Sequence, residues 1–176
     1  RAVMFNSLAT GKAKISNFLM GEDCLSTISV LKKLGSKINV DREGNIITNG
    51  QGMNSLKEPN QILNVGNSGT TIRLMSGVLA GRKFRSVLDG DESIRRRPMG
   101  RVVKPLSMMG AIIKAKNNNE NAPIEFRGGE LTNINYDMPV ASAQLKSALI
   151  LAGLRSKDGI TINQPALSRD HTERLL

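Results

Sequence analysis

Aromatic side chains are scarce in this sequence: no Trp, one Tyr and four Phe among 176 residues. The core must therefore be aliphatic, built from Leu, Ile, Val, Ala and Met. Base stacking on nucleic acid is poorly supplied. Cys24 is the only cysteine, which excludes an intrachain disulfide and a cysteine metal cluster. It reads as a small buried apolar residue. His171 is the only histidine, which excludes a histidine-rich metal site, and no metal or cofactor is expected. No run approaches the ~20 apolar residues of a membrane span. No signal peptide is visible. Acidic residues are outnumbered, 15 against 25 Lys and Arg, for a net charge of +10. Such a chain seeks anionic partners: nucleic acid, an anionic surface, or small phosphorylated and carboxylated molecules. The positive residues are scattered, and the one tight run is Arg95-Arg96-Arg97, followed by Pro98.

What is present is organised around residues 64–81, which begin as a loop with Gly66 and Gly69 and end as an almost wholly apolar helix. Ser68, Thr70 and Thr71 are good N-cap residues. Free N–H groups at such a helix start suit a phosphate or carboxylate. A plain glycine turn before a capped helix is the alternative.

Before this stretch, residues 2–9 read as a helix and 12–19 as a strand with Ala13 and Ile15 on one face. A second helix opens at Gly21-Glu22-Asp23, with an apolar face of Leu25, Ile28, Leu31 and Leu34 and a stop at Gly35. Residues 37–40 and 46–48 form a hairpin. After it, residues 70–80 are helix and 83–89 strand. The loop 90–97 leads to a helix with Pro98 in its first turn, where a missing N–H costs nothing. Met99, Val102, Val103, Leu106 and Met109 line its apolar face, Pro105 bends it, and Gly110 stops it. Residues 111–116 and 123–127 flank a polar turn as a second hairpin, and 131–138 form a further strand. Residues 144–154 are a strongly apolar helix, 159–163 a strand, and 168–176 the start of another helix.

The order repeats. Leu8-Ala9, Leu79-Ala80 and Leu151-Ala152 each end the first helix of a unit, about 71 and 72 residues apart. Three helix–strand–helix–hairpin units follow, near 1–62, 63–139 and 140–176, the third cut short. A period this long is a repeated subdomain rather than a solenoid. The first helices of units two and three are apolar nearly all round, so they are buried. The expected fold is α/β, with these helices packed inside and sheets outside. The helix N-termini should meet at one edge, where the loops 64–69 and 139–143 converge with Arg1.

Four motifs now stand in order: Asn67-Ser68-Gly69-Thr70-Thr71-x-Arg73-Leu74, Gly90-Asp91-x-Ser93-x-x-x-Arg97-Pro98-Met99, Ser142-Ala143-Gln144-x-Lys146-Ser147-Ala148 and Ser168-Arg169-Asp170-His171-Thr172-Glu173. Together they resemble the 5-enolpyruvylshikimate-3-phosphate synthase family over essentially the whole chain. The resemblance implies an inside-out α/β domain of βαβαββ-type repeats, with residues 1–176 forming part of the N-terminal domain of a two-domain enzyme. It implies transfer of the enolpyruvyl group of phosphoenolpyruvate to the 5-hydroxyl of shikimate 3-phosphate, with release of phosphate. It also implies the shikimate pathway, the herbicide glyphosate as inhibitor, a cytoplasmic location, and a monomer whose second domain lies in cis. The fragment alone should be inactive, its catalytic residues lying mostly outside it.

By the same resemblance, Gly69, Arg97 and Gln144 bind phosphoenolpyruvate, and Asn67 and Thr70 shape the loop. Arg1, Ser142, Ala143, Gln144 and Ser168 bind shikimate 3-phosphate, Ala143 only through its backbone. Arg169 is a weaker candidate, and His171 is not assigned a catalytic role. Arg95 and Arg96 belong to a solvated face. Two alternatives stand beside this reading. The sister enzyme acting on UDP-N-acetylglucosamine carries a reactive cysteine where this chain has Glu92. A nucleic-acid-binding module is suggested by the charge alone.

Overall fold

The computed structural model describes residues Arg1–Leu176. Its helices are α1 (Ala2–Leu8), α2 (Glu22–Lys33), α3 (Gly69–Ala80), α4 (Glu92–Arg96), α5 (Gly100–Met108), the single turn α6 (Lys116–Asn119) and α7 (Ala143–Gly153). Its strands are β1 (Thr10–Ile15), β2 (Lys37–Val40), β3 (Ile46–Gln51), β4 (Leu63–Asn64), β5 (Ser86–Asp89), β6 (Ile113–Ala115), β7 (Asn121–Phe126), β8 (Asn135–Asp137) and β9 (Thr161–Asn163). They form three sheets, ordered β1-β3-β2, β4-β5-β7-β6 and β8-β9.

Two of the pairings are parallel, β4 with β5 and β8 with β9. Parallel neighbours need a crossover, and here it is a helix each time. α3 links β4 to β5, and α7 is the helix between β8 and β9. The two crossovers pack on each other in the interior. Ten of the twelve residues of α3 and nine of the eleven of α7 are buried. Gly77 sets their distance of approach, because a Cβ there would stand 2.0 Å from the Ala148 carbonyl oxygen. The hairpin strands alternate instead. Ile46 and Thr48 of β3, and Ala122, Ile124 and Phe126 of β7, face inward between more exposed neighbours. Half-wet sheets around dry helices are the inside-out arrangement expected from the hydrophobic pattern.

Local chemistry explains most boundaries. Ser68 caps α3 by accepting from Thr71 N–H, and Ser142 caps α7 by accepting from Leu145 N–H. α2 carries Glu22 and Asp23 in its first turn and Lys32 and Lys33 in its last, which suits its dipole. Gly35 and Gly110 follow α2 and α5 with φ of +91° and +101°, the conformation that ends a helix. The predicted apolar face of α5, Met99 to Met109, is buried throughout.

Several expectations need correction. Leu25 is 43% exposed, and the buried face of α2 is Ile28, Val30, Leu31 and the following Leu34. Leu25 lines an open groove with Ser26, Asn64 and Asn67 instead. Pro98 is not in the first turn of α5, because Met99 is the N-cap. The hairpin turn holds this segment: Met99 N–H donates to the Glu120 carbonyl, and Asn121 Nδ2 donates to the Arg97 carbonyl. The supposed loop 90–97 contains α4, capped by Asp91. The strands expected at 12–19, 83–89, 131–138 and 159–163 are shorter, each pairing only where a partner strand runs alongside. Residues 168–176 form no α-helix, only a 3₁₀ turn at Glu173–Leu175. Thr172 is drawn into the interior there, its hydroxyl 2.6 Å from Ser147 Oγ. Cys24 is half-buried rather than buried.

Candidate functional site

The site begins with what an α-helix leaves undone. The first N–H groups of α3 and α7 have no intrahelical acceptor. Ser68 and Ser142 each satisfy one, while the N–H groups of Gly69, Thr70, Ala143 and Gln144 bond to nothing within the protein. The packing of α3 on α7 brings these two donor sets side by side. Gln144 ties them together: its Nε2 donates to Thr70 Oγ1 at 2.9 Å, and its Oε1 accepts from Arg73 Nη1 at 2.7 Å. Arg73 Nη1 also lies 3.3 Å from the Gly69 carbonyl oxygen.

Positive charge collects over this edge. The Arg97 guanidinium lies against Gly69, where a Cβ would meet Arg97 Nη1 at 2.5 Å and Arg73 Nη1 at 3.0 Å. Arg97 is steadied by Ser93 Oγ at 3.3 Å. Burial holds the Arg73 guanidinium below its ordinary pKa, and the charges of Arg101 and Arg97 push the same way. None of these three arginines pairs with a carboxylate. Like charges gathered without counter-ions, beside free N–H groups, form a ready seat for an anion.

A second seat lies one turn further along α7. Arg1 Nε donates to Thr172 Oγ1 at 3.2 Å, and its Nη2 stands 3.5 Å from Ser147 Oγ. Burial lowers the Arg1 pKa, Arg169 lowers it further, and Glu173 opposes both. Ser168 stands beside Lys146, whose ammonium is 3.5 Å from the Ser168 carbonyl oxygen. The Ser168 hydroxyl is donated to Gln164 Oε1 at 2.8 Å, so it must leave Gln164 to donate elsewhere. Ser142 Oγ serves as the helix cap, and its own O–H stays free to donate. Ala143 is buried, and only its backbone faces the task assigned to it.

The structure thus brings Gly69, Thr70, Arg97 and Gln144 into one cluster, and Arg1, Ser142, Ala143 and Ser168 around the N-terminal half of α7. Asn67 stands apart. It is exposed on the outer side of the loop, in the groove with Glu22, Ser26 and Asp91. The hydrogen bonds that hold the loop come from Asn64, whose Oδ1 accepts from Gly66 N–H, and from Asp91 N–H to the Gly66 carbonyl. His171 is exposed and lines a shallow groove with Arg1, Arg174 and Leu175. Arg95 lies on the solvated face as expected, 55% exposed, and from there it grips Asp89 with two hydrogen bonds, at 3.0 and 2.7 Å. Arg96 is exposed and pairs with Glu92 one turn before it. Sequence reasoning quoted Arg73 in a motif but gave it no role. Its signal was present, a lone charge inside an apolar helix start.

The assembly can bind and orient two anionic groups side by side. Glu173, in the second seat, is paired with Lys146.

The chain is similar to known proteins over its whole length. The family model for EPSP synthase (3-phosphoshikimate 1-carboxyvinyltransferase) matches residues 1–176. The chain is 52% identical to the 3-phosphoshikimate 1-carboxyvinyltransferase of Thermodesulfovibrio yellowstonii and 53% identical to that of Bacillus cytotoxicus, each over 100% of this chain and 41% of the relative. An EPSP synthase structure from Acinetobacter baumannii superposes with a TM-score of 0.95 at 42% identity, covering 98% of this chain and 39% of that one. The chain therefore spans about two fifths of the length of the curated relatives it matches.

Proposed function

Because the chain belongs to the EPSP synthase family, we propose that it supplies one wall of a 3-phosphoshikimate 1-carboxyvinyltransferase site, the wall that seats phosphoenolpyruvate beside shikimate 3-phosphate. One observation carries the reading: Gln144 bridges two neighbouring helix N-termini, under arginines that have no acidic partner. Both substrates bear a phosphate and a carboxylate, and the two seats match them in charge and number.

Arg97 and the N–H groups of Gly69 and Thr70 take phosphoenolpyruvate. A guanidinium offers two parallel donors to one anionic group. Ser142, the Ala143 N–H and Ser168 take the phosphate of shikimate 3-phosphate, and Arg1 takes the shikimate ring. Gln144 contacts both substrates, and Thr70, tied to Gln144, shapes the loop together with Asn64. Holding the two in contact removes much of the entropic barrier to their reaction. Protonating the enol carbon and deprotonating the 5-hydroxyl need an acid and a base. We assign them mostly to the part of the family's length outside these 176 residues, which alone should not turn over. No metal or cofactor enters this scheme, and neither does nucleic acid. The same reading places the protein in the cytoplasm, since both substrates are phosphorylated and cross membranes poorly, and makes it a monomer with its second domain in cis. No helix is long and apolar enough to cross a membrane.

The test is a phosphate-release assay on the full-length protein. Phosphate should appear from phosphoenolpyruvate only when shikimate 3-phosphate is present. Turnover with UDP-N-acetylglucosamine in its place overturns the assignment.

A further inference from the structure

Lys146 is a buried cation that the scheme above leaves unused. Its side chain is 7% exposed, and it is the one charged residue of α7. Its ammonium lies 2.5 Å from a Glu173 carboxylate oxygen and 3.5 Å from the Ser168 carbonyl. One residue further along α7, Ser147 Oγ meets Thr172 Oγ1 at 2.6 Å, and Thr172 in turn receives Arg1 Nε. Residues 168–173 have no α-helix of their own to hold them. Their attachment to α7 runs through these side chains.

From this geometry we propose that Lys146 is a positioning residue for shikimate 3-phosphate. It pins the 168–173 segment at both ends, Ser168 and Glu173, and so sets the Ser168 hydroxyl and, through Thr172, the Arg1 guanidinium relative to Ser142. The inference rests on the functional reading given above. A buried ammonium is costly unless paired, which makes the pinned arrangement the one that satisfies it. Glu173 is 38% exposed, pairs with Lys146 and acts on the Arg1 charge, which Arg169 opposes. This makes two explanations separable. If Glu173 acted only through its charge, its removal would strengthen binding of a phosphorylated ligand. If it acts as the far end of a clamp, its removal weakens binding.

The experiment is titration calorimetry of shikimate 3-phosphate into the intact chain, for the unsubstituted protein, Glu173→Ala, and the charge-neutral pair Lys146→Met with Glu173→Ala. A thermal scan places each measurement well below unfolding. Both variants should bind about tenfold more weakly, the scale of loss from misplacing a contact by a fraction of an ångström. Amide exchange over 168–173 should accelerate in both. Tighter or unchanged binding by folded Glu173→Ala, or full affinity in the double variant, overturns the proposal. No binding by the unsubstituted chain overturns the functional reading itself, and this inference with it.

Discussion

At the scale of single residues, space and charge at Gly69 decide the most. A methyl group there would occupy the place of the Arg97 guanidinium, 2.5 Å away. The arginine is the flexible partner, so it moves and the fold survives. Gly69→Ala should therefore weaken phosphoenolpyruvate binding by about tenfold or more, on the usual scale for a displaced ligand contact, and leave shikimate 3-phosphate nearly unaffected. Separate titrations of the two ligands check this, and equal losses would point to misfolding instead. Arg73 acts differently. Its single Nη1 donates both to Gln144 Oε1 and to the Gly69 carbonyl. Arg73→Met removes that donor and should lower affinity for both substrates together, because Gln144 then loses the group that orients its amide. The comparison of the two ratios, Gly69→Ala against Arg73→Met, separates a local contact from a shared bridge.

At the scale of elements, the approach of α3 to α7 is what builds the site. The contact of Gly77 with the Ala148 backbone lets both helices lie close enough for Gln144 to reach Thr70 and Arg73. A side chain at Gly77 meets backbone, which cannot rotate away. Gly77→Ala should cost about 1–3 kcal/mol in urea unfolding, the usual range for overpacking a dense core. It should also weaken ligand binding from well outside the site. An unchanged midpoint would show that the helices part freely, and that the bridge does not depend on their spacing.

At the scale of the whole molecule, the site arginines lack acidic partners, while several carboxylates elsewhere are held by hydrogen bonds and cations. Asp41, Asp89 and Glu125 all have carboxyl pKa values held below the ordinary range. For Asp41 the largest cause is the Asn45 side-chain amide, although slight burial opposes it. For Asp89 burial works against ionisation, but the hydrogen bonds from Arg95 and the Gly90 N–H outweigh it. For Glu125 the causes are the hydrogen bonds from Arg85 and then Arg127. A carboxylate with a lowered folded-state pKa contributes stability above its unfolded value of about 4 and loses it as the pH falls through the folded value. The thermal midpoint should hold from neutral pH to near that value and then fall. Asp89→Asn should lower the midpoint at pH 7 and flatten its acid limb. An acid limb as steep as before would remove Asp89 from the account.

Much of this was legible in the sequence, and the reason is local. A helix with Leu, Ile, Val and Ala on every side must be buried, and a hairpin with alternating faces must lie half in water. α3, α7 and the β2–β3 and β6–β7 hairpins follow from those rules alone, and Ser68 stood among three cap candidates before α3. The motifs around Gly69, Arg97 and Gln144 named the family for the same reason: they are short and contiguous. What periodicity does not report is which side chains meet across a fold. Arg73 and Gln144 are 71 residues apart, and only the packing of α3 on α7 makes them neighbours. Arg95 was rightly placed in water, but its partner Asp89 became visible only when β5 set it alongside. The segment 168–176 looked helical because its own residues permit a helix. Contacts with Ser147, Lys146 and Arg1 decided otherwise, since a buried hydroxyl and a buried ammonium each required a partner. The sequence by itself determined the buried helices, the wet-faced sheets and the family motifs. Tertiary structure alone decided where the charges stand, because Coulombic and hydrogen-bonding partners are set by distance in space rather than by order along the chain.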